Sequence, residues 1–72
     1  MKYKYIFGRL GKEILRIRKE RRLSQDDLAV VCNIDRSYLA EVEQGKVNPS
    51  LKVLCKIARG LNIQLYQLFI NI

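Results

Sequence analysis

Between Ser24 and Gly45 the chain reads SQDDLAVVCNIDRSYLAEVEQG, a string that few folds accommodate. Ser24 is a strong N-cap residue, and Asp27, three positions on, places a carboxylate where the free N–H groups of a first helical turn attract negative charge. Glutamate there would make the fuller capping box, aspartate being shorter. Leu28, Val31 and Cys32 form the inward stripe of this helix. It ends at Asn33, a residue that enters left-handed backbone almost as readily as glycine. Ile34 plugs the turn into the core, Asp35 caps a following helix over residues 36–44, and Gly45 stops it. Two short helices joined by a tight turn must therefore cross at a fixed angle, and the rest of the chain has to support that pair.

The flanking sequence supplies the support as further helices. Leu10, Ile14 and Ile17 recur at helical spacing with Phe7 one turn earlier, predicting a first helix over residues 9–22 and a basic extension over residues 1–8. Asn48-Pro49-Ser50 is a loop ending in another N-cap, since proline blocks a continuous helix through the junction. Leu51, Leu54, Cys55, Ala58 and Leu61 mark a fourth amphipathic helix, and Gln64 to Phe69 a short fifth. No repeat, low-complexity tract or strand pattern of any length appears. The expected fold is all-α, with five helices in one domain spanning residues 1–72.

A chain of 72 residues is small. Domains of that size bury only about 60% of their unfolded surface, so some staple is expected. The two cysteines, Cys32 and Cys55, sit among apolar neighbours and read as reduced core thiols. There is no histidine and no metal-ligand spacing, so no metal or cofactor is called for. Self-association is the remaining staple. No nucleophile–base pair stands out, which argues against an enzyme. No apolar run approaches the 18 residues of a membrane span, and the basic start MKYKYIFGRLGKE lacks the apolar stretch of a signal peptide. A reducing cytoplasm is the expected setting. Fourteen basic residues against seven acidic ones give a net charge of +7, which favours an anionic partner, though a merely soluble basic surface would look the same.

Ser24-Gln25, Leu28-Ala29, Ile34, Leu39, Glu43-Gln44-Gly45 and Asn48-Pro49-Ser50-Leu51 together resemble the Cro/repressor family of helix-turn-helix regulators, with its lambda repressor-like five-helix fold. The resemblance covers roughly residues 9–69. The run Asn33-Ile34-Asp35-Arg36-Ser37-Tyr38 is also similar to the controller proteins of restriction–modification systems. One departure is Asn33, where the family often has glycine. No sequence follows the fifth helix, so no small-molecule effector domain is expected.

On a helical wheel Leu39 and Val42 of residues 36–44 point to the core. Ser37, Ala40, Glu41 and Gln44 point away, with Arg36 at the exposed N-terminal edge and Tyr38 and Glu43 on the borders. A recognition helix needs that division between an apolar side and a polar one. Arg36 can offer its fork to guanine O6 and N7, or else bind phosphate or stand as a solvated charge. Ser37 suits a base or a phosphate. Tyr38 can meet a thymine methyl or a phosphate, or pack against the preceding helix. Glu41 either accepts from cytosine N4 or repels the backbone. The resemblance implies that Gln25 binds phosphate and braces the recognition helix, which suits a helix start where free N–H groups attract an anion. It further implies that Lys46 and Asn48 form a second backbone clamp, and that Arg18 and Glu43 pair as a partly buried, structural ion pair.

After the fourth helix come Ile63, Leu65, Tyr66, Leu68, Phe69, Ile70 and Ile72, an apolar ending with no charged side chain. Val53 and Ile57 also lie off the main stripe of the fourth helix. This surplus serves either core closure or an interface. A two-fold interface over residues 62–72 with Val53, Ile57, Ile63, Tyr66, Phe69 and Ile70 would make the chain a homodimer. Two recognition helices would then read an inverted-repeat operator at half-sites about 34 Å apart. The expected function is sequence-specific double-stranded DNA binding in transcription regulation, as a restriction–modification controller or a phage-type repressor. The alternative is an antitoxin-type module whose apolar tail binds a toxin while the domain autoregulates its operon. RNA or single-strand binding lacks support, because the aromatics are scattered rather than arrayed on a sheet.

Overall fold

The computed structural model describes residues 3–72, with side chains from residue 5 onward. The chain runs through α1 (Tyr3–Glu20), α2 (Gln25–Cys32), α3 (Arg36–Glu43), α4 (Leu51–Gly60) and a final 3-10 turn, Leu65–Leu68. Helix α3 packs on α1 and α2, α2 on α4, and the last turn closes against α4 and α1. The class is all-α as expected, but the fifth element is one 3-10 turn rather than an α-helix over residues 64–69. Helix α1 also starts at Tyr3, so residues 3–8 are its first turns and not an extension. Residues 1 and 2 of that expected extension lie outside the described residues.

The local signals between α2 and α3 act as their chemistry dictates. The Ser24 hydroxyl accepts from the Asp27 N–H at 2.9 Å, and Asp27 Oδ2 accepts from the Ser24 N–H at 2.9 Å, so the short aspartate does complete the box. That backbone N–H also holds the Asp27 carboxyl below its ordinary pKa. Asn33 takes φ 55° and ψ 49°, and the Ile34 N–H reaches back to the Ala29 carbonyl at 3.0 Å, closing α2. Asp35 occupies the N-cap of α3 but makes no side-chain hydrogen bond there.

One core fills the space between the helices. Leu10, Ile14 and Ile17 of α1 meet Leu28, Ala29 and Cys32 of α2, Leu39 and Val42 of α3, and Leu54, Ile57, Ala58, Leu61 and Leu68. Two stripes are therefore rotated from their expected phase. Ala29 replaces Val31 on α2, and Ile57 replaces Leu51 and Cys55 on α4, leaving Val31, Leu51 and Cys55 exposed. Burying an isoleucine contributes about 1.5–3 kcal/mol, more than a cysteine offers, which sets the α4 phase. Cys55 is thus a surface thiol, contrary to expectation, while Cys32 is buried and its thiol pKa is pushed up by desolvation.

Helix α1 lies unusually close to α3. A Cβ on Gly11 would collide with the carbonyl oxygens of Val42 and Glu43. Gly45, at φ 74°, would bring a Cβ within 2.6 Å of Gly8 Cα. The glycines let α1 lie directly against the end of α3 and hold its angle. At the other end, Asn71 Nδ2 donates to Glu13 Oε1 at 3.2 Å, tying the tail to α1. Arg16 also donates to the Glu13 carboxylate, and this hydrogen bond is the main reason its pKa is lowered.

Candidate nucleic-acid interface

Helix α3 turns Leu39 and Val42 into the core and leaves Arg36, Ser37, Glu41 and Gln44 exposed, the division its sequence predicts. Tyr38 is half-buried with its ring packed against the core. It therefore stands on the border, and the packing alternative accounts for much of its side chain. Lys46 and Asn48 are both exposed in the segment that leaves α3. Arg36, Ser37, Glu41, Lys46 and Asn48 thus all lie on accessible parts of α3 and the loop after it.

What holds α3 in place is an ion pair inside the fold. Arg18 Nε donates to Glu43 Oε2 at 2.7 Å, and Arg18 Nη2 to Glu43 Oε1 at 2.9 Å. Each residue is only 7% exposed. A third arginine donor, Nη1, reaches the Leu23 carbonyl at 2.9 Å. Two parallel N–H···O bonds make the pair geometrically specific as well as strong. Among the described residues no buried side-chain nitrogen or oxygen lacks a partner.

Gln25 joins this network. Its Nε2 donates to Glu43 Oε1 at 2.9 Å, so the first residue of α2 grips the last residue of α3. The bracing role expected of Gln25 thus has a direct structural counterpart, and its half-buried side chain sits at the start of α2. The contact to phosphate expected of it would use the same helix start.

A second contact across the turn went unread in the sequence. Arg36 Nε lies 3.0 Å from Asp26 Oδ1, with the two side chains 62% and 74% exposed. The only available signal was opposite charge in the first turns of consecutive helices, and the crossing angle decides whether such residues meet.

The apolar residues expected at an interface divide differently. Ile57 is 0% exposed and belongs to the core, so it is removed from that set; the α4 rotation described above buries it. Val53 and Ile63 are half-buried against the core. Tyr66 and Ile70 are 65% and 63% exposed, and Phe69 is also exposed. Cys55 and Ile63 share a shallow depression with Leu65. Among the described residues no group of His, Cys, Asp and Glu could hold a metal ion, and no helix is long and apolar enough to cross a membrane.

Residues 14–68 match the helix-turn-helix family. The immunity repressor protein of Bacillus phage phi105 is 49% identical over 55 residues, which are 76% of this chain but 38% of that protein. The chain thus spans little more than a third of that relative. The control protein C.MunI of Mycoplasma sp. is 43% identical over 65 residues, 89% of this chain and 88% of that one. Among solved structures, the restriction-modification controller protein C.AhdI from Aeromonas hydrophila superposes with a TM-score of 0.89 at 35% identity, covering 90% of this chain and 98% of that one. The controller protein C.Esp1396I, solved as a tetramer in complex with its natural 35 base-pair operator, superposes with a TM-score of 0.84 at 31% identity, covering 90% of this chain and 86% of that one.

Proposed function

The chain belongs to the helix-turn-helix family, and from that premise we propose that it is a sequence-specific, double-stranded DNA-binding transcriptional regulator acting as a homodimer. In this reading α3 lies in the major groove. Arg36, Ser37, Tyr38 and Glu41 face base edges, while Gln25, Lys46 and Asn48 hold the backbone. The observation that carries the reading is the pose of α3. Its polar side is exposed while its base is locked by Arg18, Glu43 and Gln25.

Two features support the homodimer. Residues 62–72 expose Tyr66, Phe69 and Ile70 close together in the sequence of a small chain. C.Esp1396I is itself an oligomer on its operator. Similarity to C.MunI and C.AhdI along nearly their whole length favours a restriction–modification controller, and the phi105 repressor keeps a phage-type repressor as the nearest variant of the same role.

The test is selection of binding sites from random duplexes with the purified chain. The expected result is an inverted repeat whose half-site centres lie about one helical turn apart. Recovery of no sequence above random competitor defeats the proposal, and recovery of an unrepeated site defeats its dimeric part.

A further inference from the structure

The Asp26–Arg36 contact is not explained by helix capping. Asp27, not Asp26, completes the box with Ser24, and among the described residues Arg36 is the one charged partner of Asp26. An exposed ion pair of this kind contributes little to stability. A carboxylate at the edge of a surface meant for phosphates should also be costly for binding. The first turn of α2 favours a carboxylate, but that does not account for its meeting an arginine of α3. Arg36 Nε is the guanidinium atom nearest the carboxylate, in an ion pair rather than an aligned hydrogen bond, and the Nη1 and Nη2 end is unpaired by any described side chain. That end carries the two-pronged donor set that fits guanine O6 and N7.

We propose that Asp26 is a positioning residue for base reading: it holds Arg36 by Nε so that the terminal fork meets a guanine end-on. The inference rests on the reading of Arg36 as a base-contacting residue. Asp26 acts in two ways. It removes rotamers that Arg36 would otherwise lose on binding. It also offsets the charge that would draw a free Arg36 onto any phosphate, so it weakens non-specific association while sharpening specific association.

The experiment compares the 72-residue chain with Asp26→Asn, Asp26→Glu, Arg36→Ala and the Asp26→Asn/Arg36→Ala double variant. Each is titrated at one fixed salt concentration against the selected operator, against operators changed at single base pairs, and against random duplex. Arg36→Ala is expected to erase discrimination at one base pair. Asp26→Asn should lower discrimination at that same base pair about three- to tenfold, a fraction of what a bidentate contact supplies. It should also tighten binding to random duplex. Asp26→Glu, which keeps the carboxylate, should restore part of the discrimination. In the Arg36→Ala background Asp26→Asn should leave discrimination unchanged.

A plain charge effect predicts something else: Asp26→Asn would tighten every duplex by one common factor with discrimination intact. That result overturns the proposal while leaving Arg36 as a reader. If Arg36→Ala itself leaves discrimination intact at every base pair, the reading of Arg36 fails first and this inference falls with it. Asp26 is exposed and outside the cap, so equal thermal stability of the Asp26→Asn variant separates these outcomes from unfolding.

Discussion

Around α3 the charged groups are either buried in pairs or exposed on a polar face, whereas beyond α4 no side chain is charged and Tyr66, Phe69 and Ile70 are exposed. At the first end the chain completes its own chemistry. Both oxygens of Glu43 accept hydrogen bonds, from Arg18 and Gln25, and the outward side of α3 needs nothing to cover it. At the second end Leu68 anchors the tail in the core and Asn71 ties it to Glu13, but Tyr66 and Ile70 stand in water. On the proposed function each end would meet a different partner. A polar face held rigid from beneath suits a hydrated, charged surface such as duplex DNA, while an uncovered apolar end suits a second copy of the chain.

The largest expected effect attacks the rigid end. Arg18→Ala or Glu43→Ala leaves the surviving partner buried and uncompensated, which costs about 3–5 kcal/mol. For a domain of this size that is a large share of total stability. Denaturant unfolding measures it, with the midpoint falling at constant slope. An apolar double replacement, Arg18→Met with Glu43→Leu, should recover much of the loss. It should still bind DNA more weakly, because Gln25 would lose its hold on α3. A single-substitution cost well under 1 kcal/mol would show that packing alone poses the helix.

This contrast also decides how much was legible beforehand. Ser24, Asn33 and Gly45 act through their own backbone neighbours, so the helix boundaries of α2 and α3 could be read from residue types alone. The Arg18–Glu43 pair joins residues 25 apart, and it was expected only because the family resemblance supplied it. Ile57 was misread for a physical reason. In α4 apolar residues occupy more than one stripe, and periodicity cannot say which stripe faces inward until α2 and the last turn are in place. The apolar spacing that marks α1 in the sequence begins at Phe7 and Leu10, so no local signal placed its start at Tyr3. Asp26 was readable only as a first-turn carboxylate, because the angle at which α2 and α3 cross decides that it meets Arg36.

An intermediate effect is expected from the apolar end. Tyr66→Ser combined with Ile70→Ser removes exposed groups, so the stability of the isolated fold should change by roughly 0.5 kcal/mol or less for each. The assembly should change far more. The wild-type melting temperature is expected to rise with protein concentration, as it does when association stabilises the folded state, and the double variant should lose that dependence. Sedimentation should show a monomer, and operator affinity should fall with the half-sites no longer bound together. If wild type is already monomeric at every concentration and the variant binds DNA equally well, the two ends do not divide the work as proposed. Aggregation of the wild type, relieved by the variant, would instead favour a missing protein partner for the tail.

The smallest effect is a pH profile that touches both ends at once. Asp27 at the start of α2 and Glu13 beneath the tail both have pKa values lowered, the first by the Ser24 N–H and the second mainly by Arg16. When the folded pKa is the lower one, the unfolded chain binds more protons between the two values, so stability rises with pH across that window. Their contribution is therefore complete above the ordinary carboxylate range, at pH of about 5, and is lost as pH falls through the lowered values. Cys32 acts on the opposite side, because its raised pKa stabilises the fold until pH climbs past the ordinary thiol value of about 8.5. With no histidine in the chain, the melting temperature should be flat from about pH 5 to 8 and fall on the acid side. Asp27→Asn and Glu13→Gln should each lower the plateau and shrink the acid fall. An acid limb of full size in both variants would mean that neither the α2 cap nor the tail tether is what acid loosens first.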